Sequence, residues 1–176
     1  MTAKGVFEQS GQFGTLTFVR LYRHPIDLVW TAIATPEGLA NWLMCRHAVI
    51  EGRAGGRIEL VSGPPAYHSE GVILAWDPPR VFEYEWNVAP VPEMPHGQRA
   101  IFRYELTSVG ESTRVVVTYS RLTKEIACGF LPGLHAFLDR LEAQLDGHEL
   151  PSFFDRFAEL QQEYPEWTGH ATNTRQ

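Results

Sequence analysis

In three segments of the chain, apolar residues recur at every second position, which is the pattern of β-strands with one buried face. In the segment 80–87, three aromatic residues share one face and two glutamates share the other. The segments 99–107 and 112–121 alternate in the same way. The pattern predicts neighbouring antiparallel strands with one face in the core and the other in water.

The same residues predict how these strands pair. Opposing Tyr84 to Phe102 places aromatic rings together on the inner face and sets Glu83 opposite Arg103 on the outer face. Opposing Phe102 to Val117 extends this arrangement to the third strand. Since a slip of one residue would turn every side chain to the wrong face, the agreement of both faces supports the register.

Further strands are predicted between turns rich in glycine and proline, at 13–23, 45–51, 56–62 and 67–76. After the first of these strands, helical spacing of apolar residues predicts two short helices, one starting at Pro25 and one near Pro36. The predicted strands and helices are therefore those of an α+β fold.

A long helix is predicted at 131–145, where leucines and one phenylalanine form a single apolar stripe. Pro132 suits its first turn. Because this stripe must be buried, and the inner face of the sheet is the only large apolar surface, we expect the helix to pack on the sheet.

A second amphipathic helix is predicted at 151–167, beyond this core. Its phenylalanines need a surface on which to be buried, which favours a homodimer. Folding back on the chain's own sheet is the alternative. The last residues, 168–176, are expected to be frayed.

Composition narrows the classes of function. The chain has 176 residues, of which 44% are hydrophobic, as expected for one globular domain. A net charge of -6 without clustered basic residues argues against nucleic acid as a partner. No apolar run approaches the ~20 residues that span a bilayer, and the N-terminus lacks the pattern of a signal peptide. We therefore expect a cytoplasmic protein that does not bind membranes.

Several short motifs, together with their order and spacing, point to a known family. The sequence resembles the START-like SRPBCC superfamily, in the branch named after the activator of heat-shock-protein-90 ATPase. The resemblance covers about 13–147 and rests on Val29-Trp30-Thr31-Ala32, Thr35-Pro36-Glu37, Trp42, Gly55-Gly56-Arg57, Asp77-Pro78-Pro79-Arg80, Tyr84-Glu85-Trp86 and the helical segment from Leu134 to Leu141.

This resemblance implies a helix-grip fold, in which a curved antiparallel sheet wraps around a long C-terminal helix and two short helices follow the first strand. It also implies a cavity between the sheet and the long helix. The predicted organisation is an N-terminal tail at 1–12, the helix-grip domain at 13–147, and a helical extension with a frayed tail at 148–176.

The inward-facing residues are the candidates for lining such a cavity, and the two tyrosines among them are preferred because a hydroxyl can orient an apolar ligand. The alternative is that these side chains simply fill the core. The candidates are Trp30, Trp42, Glu70, Val72, Leu74, Phe82, Tyr84, Trp86, Phe102, Tyr104, Leu134, Phe137, Leu138 and Leu141.

Glu70 is the main candidate for acid–base chemistry. It would face inward opposite Trp86 if strand 67–76 pairs regularly with strand 80–87, and burial would then raise the pKa of its carboxyl group. His68 would lie on the same face. A bulge near Gly71 would instead leave Glu70 exposed.

The histidines and Cys45 give weaker indications of a functional site. The seven histidines form no local metal-binding motif, so neither a metal nor another cofactor is predicted. Cys45 is interpreted as a structural thiol because no base is identifiable beside it.

Three functions remain open at this point. The first is binding of a small hydrophobic or aromatic ligand in the cavity. The second is an enzyme, such as a cyclase or hydrolase, that uses Glu70, His68 or a pocket tyrosine. The third is a chaperone-cofactor role, which only the name of the family suggests. No catalytic signature accompanies the resemblance, so ligand binding is preferred to catalysis.

Overall fold

One antiparallel sheet of eight strands forms the body of the protein. The computed structural model describes residues 3–164. The strands lie in the order β1-β2-β8-β7-β6-β5-β4-β3. Their bounds are Val6–Ser10 (β1), Phe13–Tyr22 (β2), His47–Ile50 (β3), Arg57–Ser62 (β4), Tyr67–Asp77 (β5), Val81–Val88 (β6), Gln98–Val109 (β7) and Ser112–Thr123 (β8).

Four helices accompany the sheet. Two short ones follow β2, as predicted, and the long helix follows β8, so the α+β helix-grip fold is confirmed. Within residues 3–164, no helix combines the length and apolar character needed to cross a membrane. The helices are Ile26–Ala34 (α1), Pro36–Trp42 (α2), Lys124–Leu145 (α3) and Phe153–Glu163 (α4).

The predicted register is right for one hairpin and wrong for the next. Tyr84 lies opposite Phe102, as predicted. Phe102, however, lies opposite Tyr119 instead of Val117, a slip of two residues that keeps the correct face inward. The cause is a tight turn that pairs Val109 with Ser112 across two residues, the first a glycine with φ of +61°.

The predicted N-terminal tail contains an additional edge strand. Strand β1 pairs antiparallel with β2, with Ser10 opposite Phe13. Gly11 begins the two-residue turn between them with φ of +61°, a conformation that glycine adopts without steric cost. The prediction missed this strand because five residues with little burial carry a weak pattern.

Strand β5 contains an irregularity that reverses the predicted facing of its first half. On the C-terminal side of this irregularity Trp76 pairs with Phe82, and on its N-terminal side Ile73 pairs with Tyr84. The extra residue reverses which side chains face inward, so that between Ser69 and Ile73 the odd-numbered residues face the core. The inward placement predicted for Val72 and Leu74 is therefore wrong, and so is that of Glu70. Glu70 is exposed, as the alternative of a bulge in this strand predicts, although the irregularity lies between Ile73 and Ala75 and not near Gly71.

Helix α3 begins seven residues before its predicted start and crosses the inner face of the sheet. Pro132 lies inside this helix, not in its first turn. The apolar stripe continues through the added turns, with Ala127 buried and Ile126 partly buried. Leu138 and Leu141 are fully buried at its other end, which forms the densest part of the core.

Helix α4 packs on α3 of its own chain. Phe153 stacks on Phe137 with ring centroids 4.6 Å apart, and Leu160 is fully buried. The predicted residues 165–167 lie outside the described part of the chain. Because α4 packs on α3, most of its apolar face is already covered, and Phe154 is the phenylalanine that stays exposed. The homodimer therefore stays a prediction, with a smaller apolar surface to support it.

A buried ionic group joins β2, α3 and α4. The Asp139 carboxylate accepts hydrogen bonds of 2.8 Å from Arg20 and from Arg156. Burial opposes its ionisation, but the two guanidinium groups lower the pKa of the Asp139 carboxyl group. Two further nitrogens of Arg20 are buried without a hydrogen-bond partner among the described residues, so its charge depends on Asp139.

His135 lies beside this group and is fully buried. Its Nδ1 shares a hydrogen bond of 2.8 Å with the Tyr164 hydroxyl, which also accepts from the Gly5 amide. Burial, aided by the charge of Arg20, lowers the pKa of His135 to about 4. The imidazole is therefore neutral in the folded protein at neutral pH.

We predict that Asp139→Asn lowers the free energy of unfolding by roughly 3 kcal/mol, because it leaves Arg20 buried without its counter-charge. Urea unfolding monitored by circular dichroism measures this loss. Glu159→Gln is the matched control, since Glu159 pairs with Arg156 on the solvent side and should contribute much less. Equal effects of the two substitutions would contradict the interpretation.

We also predict that stability falls as pH decreases from about 6.5 to 4, because the unfolded chain protonates His135 in this range and the folded protein does not. The shift corresponds to roughly 2–3 kcal/mol. Asp139, whose pKa is lowered, contributes its own loss only below its ordinary value of 3.8. His135→Asn should flatten the slope between pH 6.5 and 4, whereas the exposed His148→Asn should leave it unchanged.

Candidate ligand pocket

An apolar pocket of about 440 Å³ lies between the inner face of the sheet and the first half of α3. The loop 63–66 and helix α4 form its remaining walls. Its lining residues are Leu43, Leu60, Ser62, Gly63, Pro64, Pro65, Tyr67, Tyr84, Trp86, Glu93, Met94, Phe102, Tyr119, Glu125, Ile126, Gly129, Phe130, Gly133, Leu134, Phe137, Phe153, Phe154 and Phe157.

Three stacked rings form the floor of the pocket, one from each of β6, β7 and β8. Trp86 stacks on Phe102 with centroids 5.1 Å apart, and Phe102 stacks on Tyr119 at 3.5 Å. Each ring is about 95% buried. The sheet register places these residues side by side, so the floor follows directly from the alternation seen in the sequence.

A group of three tyrosine hydroxyls lies at the inner end of this floor. The Tyr104 and Tyr119 hydroxyls share a hydrogen bond of 2.9 Å, and the Tyr84 hydroxyl is close enough to interact electrostatically with both. Tyr84 and Tyr119 line the pocket, while Tyr104 lies behind them. These groups can orient a polar atom of a ligand.

Burial keeps all three hydroxyls protonated. It raises the pKa of Tyr104 to about 12, and it raises the pKa values of Tyr84 and Tyr119 well above 10. Such hydroxyls donate and accept hydrogen bonds but do not supply a negative charge. They are suited to orientation of a ligand and not to proton abstraction at neutral pH.

The structure brings together only some of the candidate residues named from the sequence. Five of them line the pocket: Tyr84, Trp86, Phe102, Leu134 and Phe137.

The other inward-facing candidates belong to the core around the pocket. Phe82, Tyr104, Leu138 and Leu141 are almost completely buried there. The Trp42 indole donates a hydrogen bond of 2.9 Å to the Ala32 carbonyl. Trp30 packs against Trp76, with ring centroids 5.2 Å apart.

Among the outward-facing candidates, Val72 and Leu74 are exposed, whereas Glu70 and His68 belong to a cluster of polar side chains on the outer face. His68 contacts Glu59 at 2.9 Å and Glu70 at 3.6 Å, with donor atoms close enough to hold a metal ion. Arg57 also pairs with both glutamates and balances one of their two negative charges. The sequence missed this cluster because Glu59 and His68 lie on different strands, and only the pairing of β4 with β5 brings them together.

Sequence reasoning also missed most of the pocket wall opposite the sheet. Ile126, Gly129 and Phe130 precede the predicted start of the long helix. Phe153 and Phe157 lie on a helix whose packing could not be predicted from its own periodicity. The spacing of Ile126 and Phe130 continues the apolar stripe of α3 and could have predicted the earlier start of this helix.

Comparisons with known proteins identify the family. The family model described as "Activator of Hsp90 ATPase homolog 1-like protein" matches residues 23–146. The comparison with curated proteins gives no match.

Solved structures support the same fold. A Bordetella parapertussis protein is 25% identical with a TM-score of 0.67, and the match covers 93% of this chain and 90% of that one. A Mesorhizobium loti protein is 24% identical with a TM-score of 0.66, covering 77% and 99%. CalU16 from Micromonospora echinospora is 17% identical with a TM-score of 0.66, covering 94% and 95%.

We predict that Tyr104→Phe lowers the free energy of unfolding by about 1–2 kcal/mol, because the Tyr119 hydroxyl loses its buried hydrogen-bond partner. Thermal and urea unfolding measure the loss. Tyr67→Phe, at a half-buried position of the pocket wall, removes a comparable hydroxyl and should cost less. A Tyr104→Phe protein as stable as the parent would show that the hydroxyl group contributes nothing.

Proposed function

The chain belongs to the family of Activator of Hsp90 ATPase homolog 1-like proteins, and from that premise we propose that it binds a small aromatic or otherwise hydrophobic molecule in the pocket beneath α3. The observation that carries the proposal is the lining itself. Stacked rings form one wall, aliphatic and aromatic side chains form the others, and few polar groups interrupt them. Ligand pockets commonly have this composition and a volume of about 300–1,000 Å³.

The tyrosine hydroxyls support a ligand with a neutral polar atom. The hydrogen bond between the Tyr104 and Tyr119 hydroxyls uses one of the three hydroxyl protons. A hydroxyl proton of this group is therefore free to bind a carbonyl, ether or hydroxyl oxygen of the ligand. A carboxylate placed against these buried groups would lose its hydration without gaining a positive partner.

The enzyme alternative loses its main support. Glu70 and His68 lie on the outer face of the sheet, with more than half of each side chain exposed, and do not line the pocket. The version of the hypothesis that uses these residues as an acid or base within the pocket is therefore abandoned. Binding, and not catalysis, is the function that the described residues support best.

N-phenylnaphthylamine, a neutral probe that fluoresces in apolar surroundings, tests the proposal. We predict saturable binding of one equivalent, with stabilisation of the folded protein by about 2.7 kcal/mol at a hundred times the Kd. Fluorescence titration and thermal unfolding measure the two effects.

Gly129 offers a matched pair of variants, because it lines the pocket and a Cβ atom built on it meets nothing within 4 Å. Gly129→Phe should fill the entrance and weaken probe binding at least tenfold. Gly129→Ala should retain binding and stabilise the helix by roughly 0.5–1 kcal/mol. Probe binding that both variants leave unchanged would place the probe elsewhere and overturn the proposal.

A further inference from the structure

The charge of the pocket wall is entirely of one sign. Glu93 and Glu125 are the only acidic side chains in the lining, and none of the lining residues is Lys, Arg or His. Both glutamates are exposed to solvent at the rim. Within residues 3–164, neither glutamate forms an ion pair, although Lys124 precedes Glu125 in the chain.

Aromatic rings lie at the same end of the pocket. Trp86 contacts Tyr67 edge to face at 6.2 Å between centroids, and Phe130 in the same manner at 5.6 Å. Tyr67 and Phe130 are only partly buried, so these two rings can contact a ligand beside the buried Trp86. The faces of Trp and Tyr rings attract organic cations.

Glu93 acts on this end of the pocket electrostatically. Burial is the main cause that raises the pKa of the Tyr67 hydroxyl, and the negative charge of Glu93 raises it further. The carboxylate is therefore close enough to influence groups at the pocket wall. A positively charged group beside Tyr67 would experience the same field with a favourable sign.

The N-terminus of α3 acts in the opposite direction but is weaker. A helix N-terminus carries a partial charge equivalent to about +0.5. Glu125 lies in the first turn of α3 and carries a full negative charge. Together with Glu93, it leaves the rim negative, in agreement with the chain's net charge of -6.

We propose that the pocket selects ligands in which an aromatic body carries a cationic amine, and disfavours anionic ligands of the same size. The rings hold the aromatic body, and the amine lies at the rim between Glu93 and Glu125. This inference rests on the proposed function, since it concerns the same pocket and names the class of ligand.

Three naphthalene derivatives of matched size test the selection. Naphthylethylammonium is cationic, naphthylethanol is neutral and naphthylacetate is anionic. Calorimetry at low ionic strength should give the order cation, neutral, anion, with the cation binding about tenfold more tightly than the anion, as expected for two partly screened carboxylates. The preference should shrink at high salt because such contacts are screened.

A double variant, Glu93→Gln with Glu125→Gln, should abolish the preference while leaving naphthylethanol affinity within twofold. The control double variant, Glu8→Gln with Glu111→Gln, removes the same total charge at exposed positions that do not line the pocket. It should retain the preference, which separates a local effect from one of net charge.

The outcomes distinguish the inference from the proposed function. Binding of N-phenylnaphthylamine without any preference for the cation, or a preference that persists in the Glu93 and Glu125 double variant, overturns the inference alone. Loss of the preference in the control variant also overturns it, since net charge would then explain the selection. Failure of every probe to bind overturns the proposed function and the inference with it.

Discussion

The alternation of side chains along β6, β7 and β8 is the constraint on which the rest of the structure depends. Because successive residues of a strand face opposite sides, one register places Trp86, Phe102 and Tyr119 side by side on the inner face. A shift of one residue would replace these rings with the outward-facing side chains, among them Glu85 and Arg103, and neither the core nor the pocket floor could form. The glutamate and arginine pairs on the outer face reinforce the same register, although each contributes little stability.

Closure of the sheet by the helices depends on buried polar contacts as well as on apolar packing. The Asp139 carboxylate binds arginines from β2 and α4. Arg140, the next residue of α3, donates hydrogen bonds to the carbonyls of Trp42 and Asn41 at the end of α2. Hydrogen bonds have directional requirements that apolar contacts lack. These two residues therefore specify how α2 and α4 are oriented on α3, and so where the walls of the pocket lie.

The sequence predicted features that depend on periodicity and missed those that depend on single irregularities. Inward-facing residues of β6 and β7 were identified because apolar residues recur there at every second position. On β5, one extra residue between Ile73 and Ala75 reverses the facing; Gly71 made a bulge in this strand conceivable, but the local sequence does not give its position. The contribution of Phe153 and Phe157 to the pocket arises from tertiary packing of α4, which the pattern of that helix alone does not determine.

The two ends of α3 have different side chains, and this difference explains why a pocket exists at all. Towards its C-terminus, Leu138 and Leu141 reach the sheet and exclude solvent completely. Towards its N-terminus, Gly129 and Gly133 lack side chains, so the helix cannot fill the space above the stacked rings. The core is thus tightly packed beneath the C-terminal half of α3, and the pocket lies beneath its N-terminal half. Substitutions at the glycine end can alter what the pocket holds without removing the leucine contacts on which the fold depends.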